Sequence, residues 1–169
     1  MIFQTERLHA RPLQESDFED FHELQGNPNV MRYTSMPPQS PEEARADLKR
    51  VMEKTAVEAG YNVWAFVGQA DDVFVGNGAV MVEELEGKRW GEIGYRILER
   101  EWRKGYGMEI GRGLVAHALE GMGLDGVRAY TAKGNEGSKR ILERLGMVCV
   151  KEVWQEKFKW WELEYRLLD

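Results

Sequence analysis

The sequence is short of residues that cross-link or anchor a chain, and each shortage excludes a class of protein. Its one cysteine, Cys149, excludes an intramolecular disulfide framework. No apolar run approaches the roughly 18 residues that a membrane-spanning helix needs. The start of the chain also lacks the apolar segment of a signal peptide. We therefore expect a cytoplasmic protein without a membrane partner, in which Cys149 is a small hydrophobic residue buried in a strand.

Basic residues are outnumbered by acidic ones, and histidines are few. The 23 lysines and arginines against 29 acidic residues give a formal net charge of -6, which argues against a nucleic-acid surface because such a surface needs a basic patch. The three histidines, His9, His22 and His117, lie on separate predicted elements without ligand spacing, so we expect no metal site. The acidic balance suits a cationic acceptor such as an amine, and it suits plain solubility equally well.

The length and the hydrophobic patterning predict one α/β domain over residues 1–169. The expected strands are 8–13, 63–67, 73–82, 89–98, 127–131, 148–150 and 160–167, and the expected helices are 17–24, 41–58, 106–122 and 136–146. A helix that connects neighbouring strands makes them parallel, whereas hairpins make antiparallel pairs. This order predicts a three-layer α/β/α sandwich with a mixed, mostly antiparallel sheet.

Helix start signals support these boundaries. Ser40 at the N-cap, Pro41 at the first helical position and Glu43 two residues later form a complete capping box. Asn135 is an N-cap candidate for the last helix. The segment 27–29, which reads Asn-Pro-Asn, predicts a loop.

The most informative segment is 102–109, which reads WRKGYGME between a predicted strand and a predicted helix. Glycines at 105 and 107 allow a tight turn, and the helix directs unpaired N–H groups and its positive dipole end towards any ligand there. The pattern predicts a pyrophosphate cradle, with a purely structural turn as the alternative. It is neither a Walker loop nor a dinucleotide fingerprint, because Ile110 occupies the position of the third glycine. That disfavours a nucleotide-phosphate enzyme.

Several motifs together carry a family resemblance. The strand pattern Glu-Ile-Gly-Tyr at 92–95 and the loop at 102–107 resemble the acyl-CoA loop of the GNAT N-acetyltransferases, in the branch of the ribosomal-protein N-terminal acetyltransferases. Further similar motifs follow in the family's order: Thr-Glu-Arg-Leu at 5–8, Asn-Val-Met-Arg-Tyr at 29–33, Asn-Glu-Gly-Ser at 135–138 and Leu-Glu-Arg-Leu-Gly-Met at 142–147. The sequence is identified as a member of that family by resemblance.

The resemblance implies how acetyl-CoA, the expected co-substrate, is bound. In the family the sheet splays at its central parallel pair, and the pantetheine arm pairs with one strand like an added strand. A backbone N–H of that strand polarises the thioester carbonyl. Carried over residue by residue, the cofactor-binding set is Tyr95, Arg96, Ile97, Arg103, Lys104, Gly105, Tyr106, Gly107, Met108 and Asn135.

The implied reaction is acetyl transfer to an amine, which attacks only after it loses its proton. Glu92 is the candidate base, with an ion-paired strand carboxylate as the alternative. Ser138 is the candidate proton donor to the leaving thiolate, and the alternative is a serine that bonds only backbone. Relatives in other branches use a tyrosine in this helix, which this sequence lacks. Arg32 and Tyr33 resemble acceptor-pocket residues and could equally be ordinary surface.

Two hypotheses from different classes follow. The leading one is an acetyl-CoA-dependent N-acetyltransferase whose acceptor is a peptide N-terminus, in an open groove, or a small-molecule amine, in a closed pocket. The alternative is a non-catalytic acyl-CoA-binding module of the same fold. The strand edges, and the one tryptophan of the pair 160–161 that faces away from the core, are compatible with a homodimer.

Overall fold

The computed structural model describes residues 1–168, so Asp169, the end of the predicted domain, lies outside the described residues. Its eight-stranded sheet has the order β1-β2-β3-β4-β5-β6-β8-β7. The strands are β1 (Phe3–Gln4), β2 (Leu8–Pro12), β3 (Tyr61–Gly68), β4 (Phe74–Leu85), β5 (Lys88–Ile97), β6 (Gly126–Ala132), β7 (Val148–Gln155) and β8 (Trp160–Leu168). All neighbours are antiparallel except the central pair, β5 and β6.

Helices cover both faces of this sheet. They are α1 (Phe18–Gly26), α2 (Pro28–Met31), α3 (Pro41–Val57), α4 (Tyr106–Ala116) and α5 (Glu136–Arg144). Apolar residues of α1 and α3, such as Phe21 and Leu48, form one core with the strands. Those of α4 and α5, such as Leu114 and Leu142, form the other core on the opposite face. The predicted three-layer α/β/α sandwich with a mixed, mostly antiparallel sheet is therefore confirmed.

The central parallel pair separates soon after it forms. Strands β5 and β6 are paired only at Trp90–Gly126, Gly91–Val127 and Glu92–Arg128. Beyond these positions β5 stays with β4 up to its end, and β6 stays with β8. The facing backbone edges of β5 and β6 are then unpaired with each other. A wedge therefore opens at the end of the pair, where backbone donors and acceptors need a partner.

The helix starts follow from local hydrogen bonding. The Ser40 hydroxyl accepts from the backbone N–H of Glu43 at 3.2 Å, and the Glu43 carboxylate accepts from the backbone N–H of Ser40 at 2.8 Å, which confirms the predicted capping box. The loop predicted at 27–29 is wrong, because Asn27 caps the short helix α2 and Pro28 is its first residue. An Asn-Pro pair is as good a helix start as a turn signal.

Two further features differ from the sequence-based expectations. Cys149 is exposed, because β7 is an edge strand with a register shift between Cys149 and Lys151. Strand β1 is too short to show an alternating pattern. After Ala116 the helix continues as a π-helical turn, His117–Gly121, so its expected end is nearly correct. Within residues 1–168, no helix is both long and apolar enough to cross a membrane.

The sheet requires a glycine where β4 passes beneath α4. A Cβ atom at Gly78 would lie 2.5 Å from Cε2 of the buried Phe66 ring and 3.3 Å from Cδ1 of Leu114. We expect Gly78→Ala to lower the free energy of unfolding by about 1–3 kcal/mol, because a packed core cannot move aside. Gly94→Ala, on the neighbouring strand, is the control, since nothing lies within 4 Å of a Cβ there.

Urea denaturation of both variants measures the difference. Equal stability of Gly78→Ala and Gly94→Ala would contradict the packing described for this layer.

Candidate active site

The wedge between β5 and β6 opens into a cavity of about 1010 Å³. It brings together predicted residues from four separate parts of the chain. Those that line it are Arg32, Tyr33, Glu92, Tyr95, Arg96, Ile97, Arg103, Gly105, Tyr106, Gly107, Met108, Asn135 and Ser138. Lys104 does not line it, and its ammonium group pairs with Glu101 at 2.8 Å.

The helix terminus at the cavity is left open by its sequence. Helix α4 begins after Gly105, whose φ of 85° lies in the left-handed region and whose missing side chain makes no cap. By contrast, Ser40 and Asn135 cap α3 and α5 with their side chains. The first N–H groups of α4 therefore remain available to an anion, which fits the pyrophosphate of an acyl-CoA. The neighbouring Arg103, with a φ of 63°, adds an exposed cation to this turn.

The second glycine of the loop has a packing role. A Cβ atom at Gly107 would lie 2.8 Å from Cδ1 of Ile141, on helix α5. Gly107 therefore allows α4 and α5 to approach closely beside the cavity. The sequence had predicted this glycine for the approach of a ligand, and its contact with α5 is visible only in the tertiary structure.

The turn is held from beneath by the start of the chain. Glu109, in the first turn of α4, accepts from the Thr5 hydroxyl at 2.6 Å, and from the backbone N–H and Nε of Arg7 at 2.6 Å and 2.8 Å. Arg7 also donates to the carbonyl of Lys104 at 3.0 Å and lies 4.4 Å from the Tyr106 ring. Burial raises the pKa of Glu109, but the hydrogen bonds from Thr5 and Arg7 outweigh it and leave the pKa below its ordinary value.

Side chains of β5 alternate between the two faces of the sheet. Ile93, Tyr95 and Ile97 pack on the core beneath α4 and α5, so Glu92 and Arg96 face α1 and α3. The Tyr95 hydroxyl is buried without a hydrogen-bond partner among the described residues, and burial raises its pKa. Arg96 donates to Oε1 of Gln25 at 2.9 Å, and burial lowers its pKa.

Glu92 stands at the last paired position of the parallel strands, where the wedge begins. Its side chain is 40% exposed and lies 3.3 Å from the guanidinium of Arg128, which also pairs with Glu83. Burial raises the pKa of Glu92, Arg128 lowers it, Glu83 raises it, and the pKa ends above its ordinary value. A raised pKa moves a carboxylate towards the range in which it accepts a proton near neutral pH. The sequence-based alternative, an ion-paired strand carboxylate, describes the same contact.

Helix α5 contributes its first turn to the opposite wall. The side-chain oxygen of Asn135 accepts from the backbone N–H of Ser138 at 3.2 Å, which leaves the amide NH₂ of Asn135 to other partners. The Ser138 hydroxyl makes none of the side-chain hydrogen bonds found within residues 1–168 and lines the cavity. It is therefore free to donate a proton to a group in the wedge.

The acceptor-side loop crosses the mouth of the cavity. Arg32 is exposed with its guanidinium 5.2 Å from the Tyr33 ring. A Cβ atom at Gly134, in the turn before α5, would lie 3.6 Å from Cε1 of Tyr33. The loop is thus close to the opposite wall and narrows the opening.

Sequence reasoning missed the polar residues that fix this loop and the cavity floor. Glu99 accepts from the side-chain amides of Asn27 and Asn29 at 2.7 Å and 2.8 Å, so it ties α2 to the end of β5. Gln25 and Asn77 are buried polar residues that line the cavity. Their only signal in the sequence is that each is a polar residue at an inward-facing position. That signal can be recognised only when it is known which face of the helix or strand points inwards. No group of three or more His, Cys, Asp or Glu suited to a metal ion occurs in the described part of the chain.

The Glu109 contacts give a prediction about stability. We expect Glu109→Gln to lower the free energy of unfolding by about 1–2 kcal/mol at neutral pH, because the ion pair and charge-assisted bonds to Arg7 and Thr5 are lost. The pKa of Glu109 lies below its ordinary 4.5, so its contribution is present above that pH and is lost as the pH falls through the lowered pKa. The difference between variant and parent should therefore shrink in acid.

Urea denaturation at neutral pH and at a pH of about 3 measures this difference. The exposed Glu120→Gln serves as the control. A pH-independent difference, or an equal loss in the control, would contradict the role given to Glu109.

Comparison with known proteins agrees with the fold and the cavity. The family model "Acetyltransferase (GNAT) domain" matches residues 7–148. An uncharacterized N-acetyltransferase of Bacillus subtilis, YoaA, is 25% identical over 146 residues, which cover 86% of this chain and 81% of the relative.

Two solved structures share the fold. A ribosomal alpha-N-protein acetyltransferase in complex with coenzyme A aligns with a TM-score of 0.83 and 16% identity, over 99% of this chain and 97% of its own. A spermidine N-acetyltransferase from Vibrio cholerae, in complex with CoA and spermine, aligns with a TM-score of 0.83 and 18% identity, over 96% and 95%. Since the family model covers most of the sequence and the cavity has an open helix terminus, this chain belongs to the GNAT family and is an acetyl-CoA-dependent N-acetyltransferase.

Proposed function

We propose that the protein transfers the acetyl group of acetyl-CoA to a primary amine, which attacks the thioester directly. The observation that carries this proposal is the single cavity at the β5–β6 wedge. It contains the open N-terminus of α4 on one side and the Glu92 carboxylate on the other. The open helix N-terminus would bind the pyrophosphate, and the Glu92 carboxylate would act as the base for the amine.

Acetyl-CoA supplies the thioester whose C–S bond breaks as an N–C bond forms to the acceptor. The backbone of Arg103–Met108 would hold its pyrophosphate through the uncapped N–H groups, with the Arg103 side chain adding positive charge. The backbone of Tyr95, Arg96 and Ile97 would pair with the pantetheine arm and polarise the thioester carbonyl. The free amide group of Asn135 would bond to the pantetheine from the other wall.

Two side chains would move protons. Glu92 would take the proton released by the amine, directly or through a water. Its raised pKa supports this role. Ser138 would donate a proton to the leaving thiolate, and its unengaged hydroxyl supports this role.

The acceptor is a primary amine of a small molecule or of a peptide N-terminus. Both kinds occur among proteins of this fold, since one neighbour is named for a ribosomal protein and another for spermidine. The approach of Tyr33 to the turn at Gly134, which brings the loop at the mouth close to α5, favours the small molecule. Arg32 and Tyr33 would contact the acceptor at this mouth.

The alternative, a non-catalytic acyl-CoA-binding module, rests on the ion pair of Glu92 with Arg128, which lowers the pKa of the carboxylate against the effect of burial. Release of free thiol from acetyl-CoA in the presence of amines, amino acids and peptides distinguishes the two. Acceptor-dependent release supports the transferase. Binding of acetyl-CoA without release for any acceptor would support the module.

Replacement of the Glu92 carboxylate by a neutral amide of the same shape tests its role as the base. We expect Glu92→Gln to lower kcat by about 10²–10⁴-fold, with acetyl-CoA affinity retained, because proton removal and not cofactor binding is lost. In the parent, kcat/KM should fall as the pH drops through a pKa above the ordinary 4.5 of a glutamate. Arg128→Gln should move this acidic limb to higher pH, because Arg128 lowers the pKa of Glu92.

Steady-state kinetics over pH and calorimetric titration with acetyl-CoA supply both readouts. Glu84→Gln, an exposed carboxylate on the adjacent strand, is the matched control. Unchanged turnover of Glu92→Gln would remove Glu92 from the mechanism.

We also propose a homodimer, formed through the edge strand β7. Val148 is 64% exposed and Val150 is 50% exposed on this edge, and unpaired strand edges invite association. We expect sedimentation of the parent as a dimer and of Val148→Glu as a monomer, whereas Val57→Glu, on α3 and 84% exposed, should sediment as the parent. A monomeric parent would contradict the dimer.

The cytoplasmic location expected from the sequence stays a prediction.

A further inference from the structure

The acceptor side of β5 has a gap between two charged residues. A Cβ atom built on Gly94 meets nothing within 4 Å, and the residue opposite on β4 is the small Ala79. Glu92 and Arg96 lie two positions to either side on the same face of the strand. The cavity floor therefore has an empty space at Gly94, with a carboxylate at one end and a guanidinium at the other.

The guanidinium of Arg96 lacks an ionic partner. Its one side-chain hydrogen bond goes to the neutral Gln25, and Arg96 takes part in none of the ion pairs found within residues 1–168. The nearby carboxylate of Asp47 is already occupied, because it accepts from Nε of Arg50 at 3.0 Å and from Gln25 at 3.1 Å. An arginine removed from water is costly unless an anion compensates it.

A second polar residue lies beside Arg96 at the same part of the cavity floor. Asn77 is directly opposite Arg96 in the β4–β5 register, is 7% exposed and lines the cavity. Its side chain makes none of the hydrogen bonds found among the described residues. Guanidinium and amide N–H groups side by side, each with unused donors, match the oxygens of a carboxylate.

The geometry points to an anion subsite in the acceptor pocket. We propose that Arg96, assisted by Asn77, binds the carboxylate of the acceptor while Glu92 faces its amine, so that the acceptor is an amino-carboxylate such as an α-amino acid. This proposal rests on the proposed acetyl transfer and specifies its substrate class. The Cα atoms of Glu92 and Arg96 are about 13 Å apart along the strand, a span that the two long side chains and a small zwitterion between them would fill.

The same charges disfavour a polyamine. On the acceptor side the cavity is lined by Arg32, Arg50 and Arg96 against Asp47 and Glu92, and Asp47 is neutralised by Arg50. A polycation would need several free carboxylates. This lining offers two, and both already contact arginines, Asp47 with Arg50 and Glu92 with Arg128. The spermidine enzyme that shares the fold is therefore a poor guide to the acceptor here.

Matched acceptors test the subsite through thiol release from acetyl-CoA. The panel contains the standard L-α-amino acids, the carboxamide of each, and spermidine. We expect at least one amino acid to have a kcat/KM about 10-fold or more above that of its carboxamide. Arg96→Gln should lower this acid-to-amide ratio by about 10- to 100-fold, mainly through KM, and Arg96→Lys should restore part of it. The exposed Arg112→Gln is the control and should keep the ratio.

The outcomes separate this proposal from the proposed function. Thiol release without an acid-to-amide preference, or with spermidine as the best acceptor, would overturn the anion subsite and leave acetyl transfer intact. If no acceptor supports release, acetyl transfer fails, and calorimetric titration of the same amino acids into the CoA-bound protein decides on the subsite. Amino-acid binding that is lost in Arg96→Gln would support the anion subsite. The absence of amino-acid binding to the parent protein would overturn it. The acid-to-amide ratio is measured on the parent protein alone. The proposal can therefore be overturned even if Arg96→Gln does not fold.

Discussion

The structure depends on one loss of pairing, the separation of β5 from β6 beyond Glu92 and Arg128. Two parallel strands that stay together leave no free backbone groups between them, and a sheet so closed would have no central site. Because each strand keeps its outer partner, the wedge opens without exposing either strand on both edges. The cavity, the helix terminus and the candidate base all gather at this point.

Two sets of polar contacts fix the elements around the cavity. The start of the chain holds the α4 turn through Arg7 and Glu109, and Glu99 ties α2 to the end of β5. Small shifts of either element would move binding groups relative to the thioester, and positioning of this kind contributes much of the rate in acyl transfer. The N-terminal segment thus fixes the position of the α4 turn.

The sequence predicts the elements well where the signal is local. The capping boxes, the strand periods and the turn at Gly105 need only neighbouring residues, and the family motifs add the wedge. The sequence does not predict contacts that depend on how helices and strands distant in the chain pack against each other. The burial of Arg96 against Gln25, the packing of Gly107 on Ile141 and the exposure of Cys149 on an edge strand are set by the relative placement of distant elements. Sequence periodicity carries no information about such placement.

Amide hydrogen exchange with and without acetyl-CoA tests the central claim, that the cofactor occupies the β5 edge of the wedge and the open terminus of α4. The account predicts slower exchange at the backbone N–H groups of 93–97 and 106–108 when acetyl-CoA is added, with little change on the distant hairpin of β7 and β8. Unchanged exchange along β5, at a concentration where calorimetry shows acetyl-CoA bound, would contradict it.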